Sequence, residues 1–328
     1  MKTAKPSRRE FLRLGAGGAI LALAPSAAGA GESAESGARP ACLFDATRCI
    51  GCRKCEEACN LRHGLPAPSL PFSDRSVFER TRRPDDRALT VVNRYDGPPS
   101  AAQDATRPTF VKFQCQHCLK PACVSACISG ALTRAADGSV VYDPRRCIGC
   151  RYCMVACPFQ IPAYEYRDPL KPRVVKCDFC ADPARGLGAD PACAAACPAE
   201  ALVFGERDRL LETARARIEV RPDLYIDHIY GEREAGGASW LYLAGRPFEE
   251  IGLLPLPDRS PAVRTEAIQR GVYRFGLVPL ALYGLLGGIM WRGRRGKGRE
   301  APPGPPASPG PPAPAEPPAP AEDGEERP

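Results

Sequence analysis

The chain has 328 residues, a net charge of +7, 17 cysteines and only three histidines. That length admits two domains. No Ser/His/Asp set, phosphate loop or paired carboxylates stand in a convincing context, so the chain offers no catalytic centre of the hydrolytic or phosphoryl-transfer kinds. The positive charge is concentrated in Lys2, Lys5, Arg8, Arg9 and Arg13 against a single Glu10, which excludes a nucleic-acid footprint over the rest.

Residues 7–13 read S-R-R-E-F-L-R, close to the twin-arginine export pattern. A Gly/Ala-rich apolar stretch and P-S-A-A-G-A follow, with Ala28 and Ala30 at the small positions of a cleavage site. Residues 1–30 are therefore expected to be a twin-arginine signal peptide; the plainer reading is a basic N-terminus before a short helix. That route exports folded proteins, so metal centres can be inserted before the thiols meet an oxidising compartment. Residues 31–41 read as a linker. Cys42 reads as a spare thiol, since Arg39-Pro40-Ala41 before it is no lipobox.

The other sixteen cysteines fall into four runs. Run one is Cys49, Cys52, Cys55 and Cys59. An insertion rich in Pro and Arg follows at 60–108, with a β-prone segment at 90–95, and a second such segment lies at 109–113. Run two is Cys115, Cys118, Cys123 and Cys127. Its internal His117 reads as a packing residue, because the cysteines already complete the site. After a β-prone 140–142 comes run three, Cys147, Cys150, Cys153 and Cys157, then another at 174–176. Run four is Cys177, Cys180, Cys193 and Cys197, followed by a last β-prone segment at 201–204.

Run three has the spacing C-x2-C-x2-C-x3-C-P, the bacterial ferredoxin pattern for a [4Fe-4S] cluster. Three closely spaced thiolates wrap one corner of a cubane and the fourth points away. Zinc prefers two separated pairs about one tetrahedral ion, and three cysteines in seven residues fit that poorly. R-C-I-G-C-R-K-C at 48–55 matches R-C-I-G-C-R-Y-C at 146–153 at seven of eight places, and P-A-C-V-S-A-C at 121–127 matches P-A-C-A-A-A-C at 191–197. The chain is thus a duplicated unit. Sixteen thiols divide evenly into four sites, which favours four [4Fe-4S] clusters. Disulfides require no such grouping. Gly51 and Gly149 are placed to turn backbone N–H groups toward cluster sulfur. His63 and His228 have no constellation around them.

The segment 206–220 reads as a helix with Leu210, Leu211, Ala214 and Ile218 on one face. It opens an extension, 206–270, expected to dock over the core, in which Trp240 heads an apolar W-L-Y-L. Residues 275–291 carry no charge, and at 1.5 Å per residue they reach about 26 Å, near a hydrocarbon core's thickness. Tyr273 and Trp291 suit the two interfaces, and Arg292, Arg294, Arg295, Lys297 and Arg299 mark the cytoplasmic side. A transmembrane helix is expected at 273–291, against the alternative of a buried core helix. A disordered cytoplasmic tail is expected at 292–328.

The four runs resemble the iron–sulfur electron-transfer subunits of the dimethyl-sulfoxide-reductase and formate-dehydrogenase type. With the export signal, C-R-Y-C-M-V-A-C-P-F, G-R-P-F-E-E-I-G-L-L-P at 245–255 and the terminal helix, the chain is similar to the ferredoxin-like subunits of periplasmic membrane-bound hydrogenase-2 complexes. The resemblance implies an α+β fold of two tandem ferredoxin-like units over 42–205. It implies crossed ligation: Cys49, Cys52 and Cys55 with Cys197; Cys59 with Cys177, Cys180 and Cys193; Cys115, Cys118 and Cys123 with Cys157; Cys127 with Cys147, Cys150 and Cys153. Asn60 and Ile128 stand where the family has proline after the fourth cysteine. The implied role is non-catalytic, on the periplasmic face of a bacterial inner membrane. Electrons would pass between a nickel–iron hydrogenase and a multipass quinone-reactive subunit. Rival readings are the same role beside a molybdopterin enzyme, a structural zinc scaffold, and a stand-alone iron–sulfur enzyme.

Overall fold

A computed structural model of the protein describes residues 39–168, 173–181 and 190–296. The export signal, the linker before residue 39 and the tail beyond residue 296 lie outside the described residues.

The duplication seen in the cysteine runs governs the architecture. Strand β1 (Pro40–Asp45) leads into run one, whose last cysteines ride on helix α1 (Lys54–His63). Helix α4 (Ala192–Ala195), within run four, packs against α1, and strand β8 (Leu202–Glu206) returns antiparallel to β1. Runs two and three repeat this arrangement. Helix α2 (Ala122–Ser125) packs against α3 (Tyr152–Ala156), and strand β4 (Leu132–Arg134) pairs antiparallel with β5 (Val140–Tyr142). Two hairpins join the halves: β2 (Val91–Tyr95) with β3 (Thr109–Phe113), and β6 (Ala163–Glu165) with β7 (Arg173–Val175). An inner unit, built from runs two and three, is therefore nested inside an outer unit built from runs one and four.

The extension is part of the outer unit's core. Helix α5 (Arg207–Val220) buries Leu210, Leu211, Ala214 and Ile218, the face its periodicity marks. Strand β9 (Trp240–Leu243) pairs in parallel with β1 and completes the order β8-β1-β9. Side chains alternate across this sheet with a period of two. Ala41, Leu43, Leu241 and Leu243 face α5, whereas Cys42, Phe44, Trp240 and Tyr242 face the core shared with the cysteines. Burying each leucine between sheet and helix contributes about 1.5–3 kcal/mol. Asp45 fastens the assembly: its carboxylate accepts from Tyr225 Oη at 2.8 Å and pairs with Arg217 at 3.0 Å.

The 60–108 segment is held by one buried ion network. Glu56, 4% exposed, pairs with Arg53 at 3.0 Å and Arg82 at 2.6 Å, and accepts the Val92 amide at 2.7 Å. Arg53 in turn donates to the Pro71 and Asp74 carbonyls. So α1 is tied both to the segment's irregular part and to β2, which the sequence marked as β-prone.

Helix α6 (Pro261–Gly296) contains the span expected to cross a membrane. The chain divides into two units at residues 268 and 269, and α6 runs through that point. Among the described residues, no helix is long and apolar enough to cross a membrane. The side chains of 273–278, within the expected span, lie outside the described ones.

Two glycines separate steric crowding from backbone preference. Gly231 has φ 92°, and a Cβ there would sit 2.1 Å from the Trp240 carbonyl oxygen; Gly64 has φ 56° and open space around it. Gly231→Ala should cost about 3 kcal/mol or more through strain and overlap with β9, and Gly64→Ala about 1–2 kcal/mol. Thermal unfolding followed by circular dichroism would show the difference; equal shifts for the two would refute the packing described for β9.

Candidate iron–sulfur sites

The cysteine runs impose left-handed turns at matching places. In runs one and three, Gly51 and Gly149 have φ 65° and 72°, and Arg53 and Arg151 have φ 62° and 61° just before their helices. In runs two and four, His117 and Phe179 hold the same place, with φ 47° and 65°. Gly130, Gln160 and Glu200, each three residues after the last cysteine of a run, also have positive φ. A turn of this hand folds successive N–H groups toward the preceding sulfur. Gly149 N–H donates to Cys147 Sγ, Phe179 N–H to Cys177 Sγ and Leu132 N–H to Cys127 Sγ, each at 3.4 Å. Run one differs where Asn60 replaces proline. There α1 continues past the fourth cysteine to His63, and Gly64 supplies the left-handed cap.

Cys49, Cys52, Cys55 and Cys197 line one cavity, walled by Phe44, Val92 and Leu202. Helix contacts join run one to run four and run two to run three. Burial pushes Cys49 up to about 12, with Cys197 and Cys52 adding to the effect and the Gly51 amide opposing it. Burial likewise raises Cys59 to about 12, and Cys193 and Cys180 add to it. Cys118 is held well above the usual thiol range by burial, then by Cys115, Cys157 and Cys123. Cys153 is raised to about 11 by burial, then by Cys127, Cys150 and Cys147. Run one thus meets run four, and run two meets run three.

All 17 cysteines are free. Sulfurs in sets, desolvated and approached by N–H donors, are poor acids alone but good ligands once a cation shares their pocket. The residues therefore fit iron–sulfur clusters. Cys42 stands apart on the core face of β1, fully buried, its thiol raised by desolvation first and then by Cys193.

His117 is fully buried, accepts the Val140 amide on Nδ1 at 3.0 Å and packs 4.9 Å from the Phe179 ring. Desolvation, then the Lys176 charge, hold its pKa well below the ordinary imidazole range, so it packs as a neutral ring. His63, to which the sequence gave no role, stands 3.9 Å from Cys180 Sγ and 3.4 Å from Asp178. The two residues are 117 positions apart in the chain, and the only local hint was that His63 follows Cys59 by one helical turn.

Residues 107–207 match the family described as 4Fe-4S dicluster domain. The chain is 48% identical over 252 residues to a protein of Nitratidesulfovibrio vulgaris, covering 75% of this chain and 66% of that one. It is 33% identical over 317 residues to the hydrogenase-2 operon protein HybA of Escherichia coli O157:H7, covering 84% of this chain and 92% of HybA. The chain belongs to the HybA family of ferredoxin-like iron–sulfur subunits. Over 166 residues it is 39% identical to the thiosulfate reductase electron transfer subunit PhsB of Salmonella typhi, covering 51% of this chain and 75% of PhsB. As a member of the HybA family, the chain is an iron–sulfur electron-transfer protein of the kind that serves oxidoreductase complexes.

The nesting predicts which substitutions act together. Cys49→Ser and Cys197→Ser should disturb one and the same paramagnetic centre of the reduced protein, and Cys59→Ser a different one. Electron paramagnetic resonance of the three variants distinguishes these outcomes; a common target for Cys49→Ser and Cys59→Ser would refute the crossed arrangement.

Proposed function

We propose that this chain relays electrons through four [4Fe-4S] clusters, between a periplasmic nickel–iron hydrogenase and a quinone-reactive membrane subunit. The observation that carries this reading is that Cys49, Cys52 and Cys55 share one cavity with Cys197 of a distant run, within a duplicated pattern of sixteen cysteines. The proposed ligand sets are Cys49, Cys52, Cys55, Cys197; Cys59, Cys177, Cys180, Cys193; Cys115, Cys118, Cys123, Cys157; and Cys127, Cys147, Cys150, Cys153. The similarity to HybA over nearly its whole length supports a hydrogenase as partner.

Bound clusters would supply reversible one-electron chemistry. The chain itself supplies rigid turns that fix the sulfurs, N–H groups that lower the cost of thiolate charge, and apolar walls that limit water. Cys150 is exposed, with Ile148, Tyr152 and Val155 exposed beside it, so the fourth set lies closest to a surface where a partner can approach. Residues 273–291 are proposed as the tether that keeps the relay at the periplasmic face. In their support, Leu280, Leu282, Tyr283, Leu285, Leu286, Ile289 and Met290 are all exposed on α6, and arginines follow at 292, 294 and 295.

The similarity to PhsB, a thiosulfate reductase electron transfer subunit, supports a second reading, the same relay beside a reductase, for which the sequence offers a molybdopterin enzyme as the rival partner. Purification of the native complex from membranes under anaerobic conditions decides between them. The expected preparation is brown, with about sixteen irons per chain, four per cluster, and nickel in the partner. Molybdenum in place of nickel would establish the second reading. A colourless chain holding zinc would overturn both.

A further inference from the structure

Lys112 lies on β3 with 1% of its surface exposed. A buried ammonium group is strongly unfavourable unless something offsets its charge. The two groups that Nζ touches are uncharged: it donates to Gln114 Oε1 at 2.8 Å and stands 4.3 Å from the centre of the Trp240 ring. No carboxylate pairs with it among the described residues. Arg53, equally buried, is neutralised by Glu56 at 3.0 Å. What Lys112 faces instead is sulfur. It lines the cavity of Cys49, Cys52, Cys55 and Cys197. The Trp240 ring beneath it packs in the same core cluster as Cys59, Cys177 and Cys193 of the neighbouring set.

The slot that holds this cation is built with care. Gln114 is fully buried and donates to Tyr242 Oη at 2.7 Å, which fixes its Oε1 toward Lys112. Tyr242 Oη donates to the Lys112 carbonyl at 3.2 Å. Trp240 and Tyr242 both come from β9, beyond the stretch that matches the dicluster family. The strand that completes the outer sheet therefore also forms the floor under the lysine.

We propose that Lys112 is a fixed cation shared by the two outer-unit clusters, whose reduction potentials it raises above those they would have without it. The inference rests on the four-cluster reading. A cubane held by four thiolates is anionic, and each added electron deepens that charge. A cation locked beside it in a low-dielectric slot favours the reduced state, and net charge near a cluster is one of the recognised determinants of its potential. Lys112 takes up and releases no proton in this role; it acts by staying charged.

The test is a redox titration of the full chain, prepared anaerobically and followed by electron paramagnetic resonance, on wild type and three variants. In Lys112→Met, the two centres that also respond to Cys49→Ser and Cys59→Ser should shift to more negative potential, with the inner two unmoved. Gln114→Glu should shift the same two, because a carboxylate at the ammonium cancels its charge without emptying the slot. Lys112→Arg should leave all four close to wild type. Unmoved outer centres in either neutralising variant with full iron content would overturn the proposal, as would an equal shift of all four. Should Lys112→Met lose iron, Gln114→Glu, which keeps the lysine, decides alone. A wild-type iron count well below sixteen would instead refute the relay reading itself.

Discussion

Cys49, Cys59, Cys123 and Cys153 sit where desolvation pushes a thiol up to about 11 or 12. None of these sulfurs would ionise near neutrality without positive charge close by. Much of the fold answers that constraint. The left-handed turns aim amides at sulfur, each helix of a run carries at least one of its thiols, and the hairpins carry the chain from one run to the next. Helices of four or five residues such as α2, α3 and α4 have little stability of their own. They persist because each carries a buried cysteine and packs against a helix of another run.

The duplication explains why the two units share a plan and differ in their surroundings. Arg53 and Arg151 occupy the same left-handed position, but one meets Glu56 and the other Met154 three residues on. Arg53 is therefore drawn into a buried ion network that anchors the long 60–108 segment. Arg151 remains exposed and lies over Tyr164 and Tyr166, 5.1 and 5.7 Å from their ring centres. One substitution in a repeated motif thus separates the unit that carries a large insertion from the unit that leaves a sulfur near solvent.

The sequence made the ligands legible because their spacing is short and local. It also marked β2, β3, β5, β7 and β8, and the buried face of α5, because alternation and helical periodicity are properties of adjacent residues. It did not mark β1 as a strand: P-A-C-L-F-D is too short a signal beside the low-complexity stretch before it. Nor did W-L-Y-L announce its destination, since pairing β9 with β1 joins segments some two hundred positions apart, and no local pattern encodes that. His63 was invisible for the same reason. The glycines and arginines of the turns were visible as letters, but their handedness emerged only with the backbone.

The parallel pairing of β1 with β9 sets the order in which the molecule can come together. The inner unit draws on neighbouring stretches of chain and can close during synthesis. The outer one has its first strand at the beginning and its last at residue 243. Contacts that far apart are slow to form, and here they cannot exist on the ribosome until most of the polypeptide has emerged. The earliest thiols to be made are thus among the last to be enclosed. A chain cut short before β9 would present run one with one edge of its sheet uncovered, an open state that maturation and quality-control factors could distinguish from the finished subunit.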